Sequence, residues 1–153
     1  MSEEIFGAVQ KLPVNGTKKQ VVLQCAPLLT GIKLSNLLNV RSDQKKEVLR
    51  IFEGSPVCCR VLYEFQGRLS ILLYRPGMLA AYLEREDVKK LMTSFGYENP
   101  DLEETLNRIA DAYQDHMNGK RGFPHEIGLV LGYPPVDVEG FIEKEGRDFL
   151  YSG

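Results

Sequence analysis

Three side chains in this sequence are equipped for covalent or proton-transfer chemistry: Cys25, His125 and Glu126. Cys25 precedes Ala26-Pro27 at an expected helix start, where unpaired backbone N–H groups and the helix dipole favour a thiolate. His125 follows Pro124 in the first turn of another expected helix, where the same field favours a neutral imidazole that acts as base or hydrogen-bond donor. Glu126 is its immediate neighbour. A Cys25–His125 pair joined by folding would suffice for nucleophilic acyl or thiol chemistry. Each residue also has a plainer reading. Cysteine is among the most buried residue types and packs as a small apolar side chain, and a helix-start histidine can simply bond to nearby backbone.

Metal and anion sites follow the same test. His125-Glu126 begins like the zinc-protease motif H-E-x-x-H, which needs two histidines on one helix face. The second position is Leu129, so the motif fails, and His116 is the only other histidine; no metal site is expected. Lys33 lies on an apolar segment, and Arg75 stands between an expected strand and the helix opened by Pro76. Either cation would suit an anionic ligand, or would snorkel or pair with a carboxylate. Tyr133, in a Gly-Tyr-Pro-Pro turn, completes the ligand-binding candidates. Cys58 and Cys59 fall on an expected strand and point to opposite faces, which does not make a redox dithiol. No C-x-x-C, phosphate-cradling glycine loop or nucleophile elbow is present, and the residues leave any cofactor unknown.

The elements that would position these residues read as follows. Ile5, Phe6, Val9 and Leu12 form a short amphipathic helix ended by Pro13. Thr17 with Gln20 has the capping-box pattern, with a strand an alternative at Val21–Leu23. Pro27 opens a buried helix through Leu28, Leu29, Ile32, Leu37 and Leu38. Ser42 caps a helix through Val48, Ile51 and Phe52. Residues 57–65 and 68–75 form an antiparallel hairpin about Gln66-Gly67, with Val61 opposite Leu72 and Leu62 opposite Ile71. Both faces of that ribbon are partly apolar, so helices should cover it. Helices follow from Pro76 to Gly96 with a break near Glu84–Asp87, and from Asn99-Pro100 to Asn118-Gly119 with a stripe of Leu102, Leu106, Ile109, Ala110, Tyr113 and Met117. The expected fold is α+β: a mostly helical single domain, residues 1–153, with a small antiparallel element.

The stretch from Phe123 to Ile142 reads as two short helices about Gly132-Tyr133-Pro134-Pro135, with Pro124 at the start of the first and Val138, Phe141 and Ile142 on the second until Gly146. A DNA-binding helix-turn-helix has this outline. Its recognition helix needs Arg, Lys, Asn or Gln near the start, whereas this one carries Asp137, Glu139 and Glu143. With a net charge of −2 and a pI near 5.8, the chain is not expected to bind nucleic acid. No apolar run approaches the roughly 20 residues that span a bilayer, the N-terminus lacks a signal-peptide pattern, and three cysteines fit a reducing interior. The expected location is the cytoplasm.

Three separated stretches carry a resemblance. Cys25-Ala26-Pro27 with Gly31 and Lys33, then Tyr74-Arg75-Pro76, then Phe123-Pro124-His125-Glu126-Ile127-Gly128 through Leu131-Gly132-Tyr133-Pro134, resemble a bacterial domain-of-unknown-function family with C-A-P-x-L-x-G-x-K, Y-R-P and F-P-H-E-I-G-x-x-L-G-Y-P segments in this order. The resemblance covers about residues 20–148 and implies no activity, cofactor or catalytic residue. Members of that family are expected to continue beyond the Gly146-Arg147 region, sometimes with cysteines, whereas this chain ends at Gly153. Two functions from different classes follow. One is a non-enzymatic module binding a small molecule or protein near Pro124–Pro135. The other is a small enzyme using Cys25 and His125 on an anionic substrate held by Arg75 or Lys33.

Overall fold

The computed structural model describes residues 16–98 and 100–142. The helix expected at Ile5–Leu12 and the end at Gly146 lie outside them. The protein is α+β, with helices predominating and one small antiparallel sheet. The chain divides after Pro76 into two compact units.

The first unit is built on α1 (Gly16–Leu29), β1 (Ser35–Arg41), a 3₁₀ turn (Ser42–Gln44), α2 (Lys45–Phe52), β2 (Cys58–Phe65) and β3 (Arg68–Tyr74). Its sheet has the order β1-β3-β2, antiparallel throughout. α1 runs straight through Pro27, which corrects the expectation of a new helix there. Thr17, Val21, Cys25 and Leu28 share one buried stripe at steps of four, four and three residues, and one missing N–H in the last turn does not outweigh its burial. Leu37 and Leu38, assigned to that expected helix, lie instead on β1. There buried Leu38 and Val40 alternate with exposed Asn39 and Arg41, the period of a strand.

Ser42 does not cap α2. It opens the 3₁₀ turn, and its buried Oγ has no hydrogen-bond partner among the described residues. The buried amide of Gln44 organises the corner instead. It accepts from Arg41 N–H (2.9 Å) and donates to Thr17 Oγ1 (3.0 Å) and Gln20 Oε1 (3.2 Å), the two residues read as a capping box.

The β2–β3 hairpin turns at Gln66-Gly67 as expected, with φ of +49° and +77°, the left-handed pair that matches strand twist. Its register departs from the simple count. Pairs run Phe65↔Arg68, Glu64↔Leu69 and Tyr63↔Ser70, after which a bulge at Leu62 shifts the ladder to Val61↔Ile71 and Arg60↔Leu72. Leu69, Ile71 and Leu73 join Val21, Cys25, Leu28, Leu38, Val48 and Phe52 in the core of this unit. Ser70, Leu72 and Tyr74, on the opposite face of β3, are buried as well.

α3 (Pro76–Leu83) opens on the last residue of the first unit and otherwise belongs to the second, which also holds α4 (Glu86–Ser94), α5 (Leu102–Met117), α6 (Glu126–Val130) and α7 (residues 135–142). α5 begins at the cap Asp101, whose carboxylate accepts from Glu104 N–H at 2.7 Å. Leu106, Ile109, Ala110 and Tyr113 are buried as the stripe requires, with Thr105 and Ala112 joining them and Met117 exposed. α6 starts at Glu126, two residues later than the position expected from Pro124. Of the three apolar residues expected together on α7, Val138 is buried while Phe141 is exposed. The turn between α6 and α7 is tight. Tyr133 N–H reaches Gly128 O at 2.9 Å, and Tyr82 Oη donates to Tyr133 O at 2.9 Å. A Cβ placed on Gly128 would stand 3.1 Å from Val138 Cγ2, so this glycine permits the close packing of the two helices.

Candidate functional site

Cys25, Lys33 and Arg75 belong to the first unit; His125, Glu126 and Tyr133 belong to the second. In the first unit the candidates gather at the C-terminal end of α1. A helix leaves its last four carbonyls without helical partners, and here each finds one. Ala26 O accepts from Thr30 N–H (3.0 Å) and Pro27 O from Lys33 N–H (2.9 Å). Leu28 O accepts from Gly31 N–H (3.1 Å) and from Arg75 Nε (3.2 Å) and Nη2 (3.1 Å), and Leu29 O from Arg75 Nη2 (3.2 Å). The guanidinium therefore caps α1 at the negative end of its dipole.

Cys25 sits just inside that end, wholly buried, with Asn36 Nδ2 donating to its sulfur at 3.4 Å. Burial pushes its thiol up to about 11, against the smaller opposing effects of the Asn36 bond and the Lys33 charge. The position expected to start a helix is the last turn of one, where the dipole no longer favours a thiolate. Cys59 is also pushed up to about 11, chiefly by burial, while Cys58 is exposed.

The second unit places Glu126 on α6 with only 4% of its surface exposed. A buried carboxylate requires partners. Tyr97 Oη donates to Glu126 Oε2 at 3.0 Å, and Arg121 Nη2 lies 3.7 Å from Oε1. Burial, followed by the charge of Glu126 and the hydrogen bond to it, holds the Tyr97 phenol well above the usual tyrosine range. Arg108 lies 4.0 Å over the Tyr97 ring and donates to Gly96 O at 2.9 Å, so Tyr97 is fixed at its ring and its hydroxyl. His116, Phe123 and His125 form a neighbouring run of edge-on rings, with centroids 5.4 and 5.7 Å apart along it. His116 Nδ1 lies 3.3 Å from Arg121 O.

Tyr97 also borders a partly open cavity of about 90 Å³ between α3, α4 and the start of α5. Ala80, Leu83, Met92 and Leu102 supply its apolar surface; Glu84, Lys89, Asp101 and Thr105 supply polar groups. It has room for several waters or a small organic molecule. Glu126 does not line this cavity; its link to it is the hydrogen bond from Tyr97, which does. A second, open groove runs beside the turn before α7, along Leu91, Pro134, Pro135 and Val136.

A family model described as "Protein of unknown function (DUF3793)" matches residues 21–153. The chain belongs to this family. Neither the curated proteins nor the solved structures include a significant match. Within this DUF3793 chain, the C-A-P and Y-R-P segments meet at one helix end, and the F-P-H-E-I-G segment supplies the acid to which Tyr97 donates.

Tyr97, Lys89, Glu84 and Asp101 were not among the residues marked by the sequence. Tyr97 lies 29 positions from its carboxylate partner and carries no local motif. The one available signal was negative: a Glu that would fall on the packed side of a short helix needs a donor from elsewhere in the chain.

Proposed function

We propose that this protein is a non-enzymatic cytoplasmic module that binds a small molecule in the cavity bounded by Tyr97. The observation that carries the reading is the construction of that wall. A buried carboxylate, a phenol and an arginine hold one ring in place beside an otherwise small cavity, and rigid support behind the lining is what a binding site requires. The alternative Cys25–His125 enzyme is less favoured, because the Cys25 thiol is buried and pushed up to about 11. Free thiols at Cys25, Cys58 and Cys59 fit the reducing cytoplasm.

The test is a fragment screen by two-dimensional NMR on the full chain, repeated on Ala80→Phe, which fills the cavity. Binding compounds should shift signals from Ala80, Met92, Tyr97 and Thr105, and the substituted chain should lose those responses while staying folded. If no compound moves those signals, or if they move equally in Ala80→Phe, the reading is wrong.

A further inference from the structure

We infer that the hairpin end of the sheet in the first unit binds a short stretch of single-stranded nucleic acid, with unpaired bases on Phe65 and Tyr63 and phosphates on Arg41 and Arg68. The inference is independent of the Tyr97 cavity. It starts from charge. The net charge of −2, which gave no reason to expect nucleic acid, is the sum of two unlike parts. The first unit, residues 1–76, carries eleven Lys and Arg against six Asp and Glu, a net of +5. The second carries eight against fifteen, a net of −7. Such an asymmetry marks the basic unit as the one with the electrostatic footprint for a polyanion.

The ladder then sets cations beside aromatic rings. Arg41, Arg68 and Phe65 are direct cross-strand partners on β1, β3 and β2, and the next row on the same face is Asn39, Ser70 and Tyr63. Directly opposite residues share a face and successive residues alternate, so both rows project from the side opposite the core residues Leu69 and Ile71. Arg41, Arg68 and Asn39 are exposed there, and Phe65 is 56% exposed. The rings of Tyr63 and Phe65 stand 6.2 Å apart at 31°, a two-step platform of the kind on which unpaired bases stack.

Like charges directly opposite each other destabilise a ladder, so the facing Arg41 and Arg68 favour an anion between them. Asp43 meets Arg41 at 3.2 Å, but both side chains are largely exposed and solvent weakens the pair. Arg68 meets no carboxylate among the described residues. Glu64, next to Phe65 in sequence, pairs with Leu69 and so belongs to the other face. Asn39 accepts from Ser70 Oγ at 2.7 Å through Oδ1, which leaves its amide hydrogens for a base edge or a sugar. The corner at Gln44 extends the cationic rim. It ties Thr17 and Gln20 to this end of β1, and the exposed Lys18 and Lys19 lie between them. A duplex keeps its base faces stacked inside, and an acidic protein would use the cations but leave the two rings without a role. An unpaired strand uses both.

The experiment follows the fluorescence anisotropy of labelled oligouridylate, oligothymidylate and a duplex, each about eight to twelve nucleotides long, titrated with the full chain at pH 7. Single strands should bind at least about tenfold more tightly than the duplex. Each phosphate contact adds roughly −0.7 to the slope of log affinity against log salt, so two arginines give about −1.4. Phe65→Ala should weaken binding about tenfold with that slope unchanged, and Phe65→Trp should keep it tight. Arg68→Gln should flatten the slope by about 0.7. Both positions are exposed, and circular dichroism melts check that the variants stay folded. RNA and DNA bound alike support the inference; so does a preference for RNA, which would add a contact to the 2′-hydroxyl. Absence of binding to both strands at low salt overturns it. Duplex binding as tight as that of the single strands, competition by polyglutamate at equal charge, or Phe65→Ala binding like the unmodified chain also overturns it, leaving a general polyanion surface.

Discussion

Replacing Tyr97 by Phe removes one buried oxygen and leaves the ring in place. The hydroxyl lost is the donor to Glu126 at 3.0 Å, and hydrogen bonds to charged groups contribute about 1.5–3 kcal/mol. Glu126 would keep Arg121, but that contact is 3.7 Å long and its guanidinium is 42% exposed, so it adds at most about 0.5–1 kcal/mol. The expected cost is therefore about 2 kcal/mol, or a fall in melting temperature of roughly 4–8 °C for a chain of this size. Urea denaturation of the full chain measures the first figure and calorimetry the second. Glu126→Gln should cost less, since an amide oxygen still accepts from Tyr97, and the double substitution should cost less than the two single costs summed. The phenol is raised in the folded chain, so its contribution is intact below about pH 10, where a free tyrosine ionises, and is lost as pH rises further. Tyr97→Phe should lose that part of the alkaline sensitivity. A change of under about 0.5 kcal/mol with an unaltered alkaline profile would show that water, not Tyr97, satisfies Glu126, and the wall argument would collapse.

Arg75→Met should destabilise the chain by about 2 kcal/mol, since it strips the charged cap from two helix-end carbonyls; Arg75→Lys should recover only part, lacking the fork. Chemical denaturation checks both, and equal stability of all three chains would contradict the capping role. Thiol titration with a chromogenic disulfide at pH 7.5 should reveal one fast cysteine, abolished by Cys58→Ser, while Cys25 stays silent until unfolding; loss of the fast phase in Cys25→Ser would contradict its burial. The raised Cys25 thiol also makes a stability contribution that is intact below about pH 9 and declines as pH rises to about 11, a slope that Cys25→Ala should flatten. Gly128→Val should cost about 1–3 kcal/mol by forcing α6 off Val138, read by thermal melting; an unchanged melt would mean the helices have room to separate.

The parts of the fold legible in the sequence were those set by local chemistry. Gln66-Gly67 accepts left-handed backbone and fixed the hairpin, and the spacing of Leu106, Ile109, Ala110 and Tyr113 fixed the buried face of α5. Less local competition was misread. Pro27 looked like a beginning, although the Val21, Cys25 and Leu28 stripe crosses it without a change of phase. β1 was missed because Leu37-Leu38 sits between polar residues that suit either period. The bulge at Leu62 depends on which side chains β3 buries on each face, which no turn rule reports. For the site, Glu126 was visible and its meaning was not. A carboxylate's role depends on the donor opposite it, and that donor came from the loop after α4.

The Arg75 cap has a consequence for how the chain is made. It joins residues 46 and 47 positions apart, so a nascent chain carries α1 long before it carries the group that closes α1. Until Arg75 leaves the ribosome, Leu29 O must rely on water, and the last turn of α1, with Cys25 just inside it, has every reason to fray. Closure comes only when β3 is complete, at the residue pair Arg75-Pro76 where the first unit ends. Emergence of the first unit from the ribosome and the locking of its first helix therefore finish together.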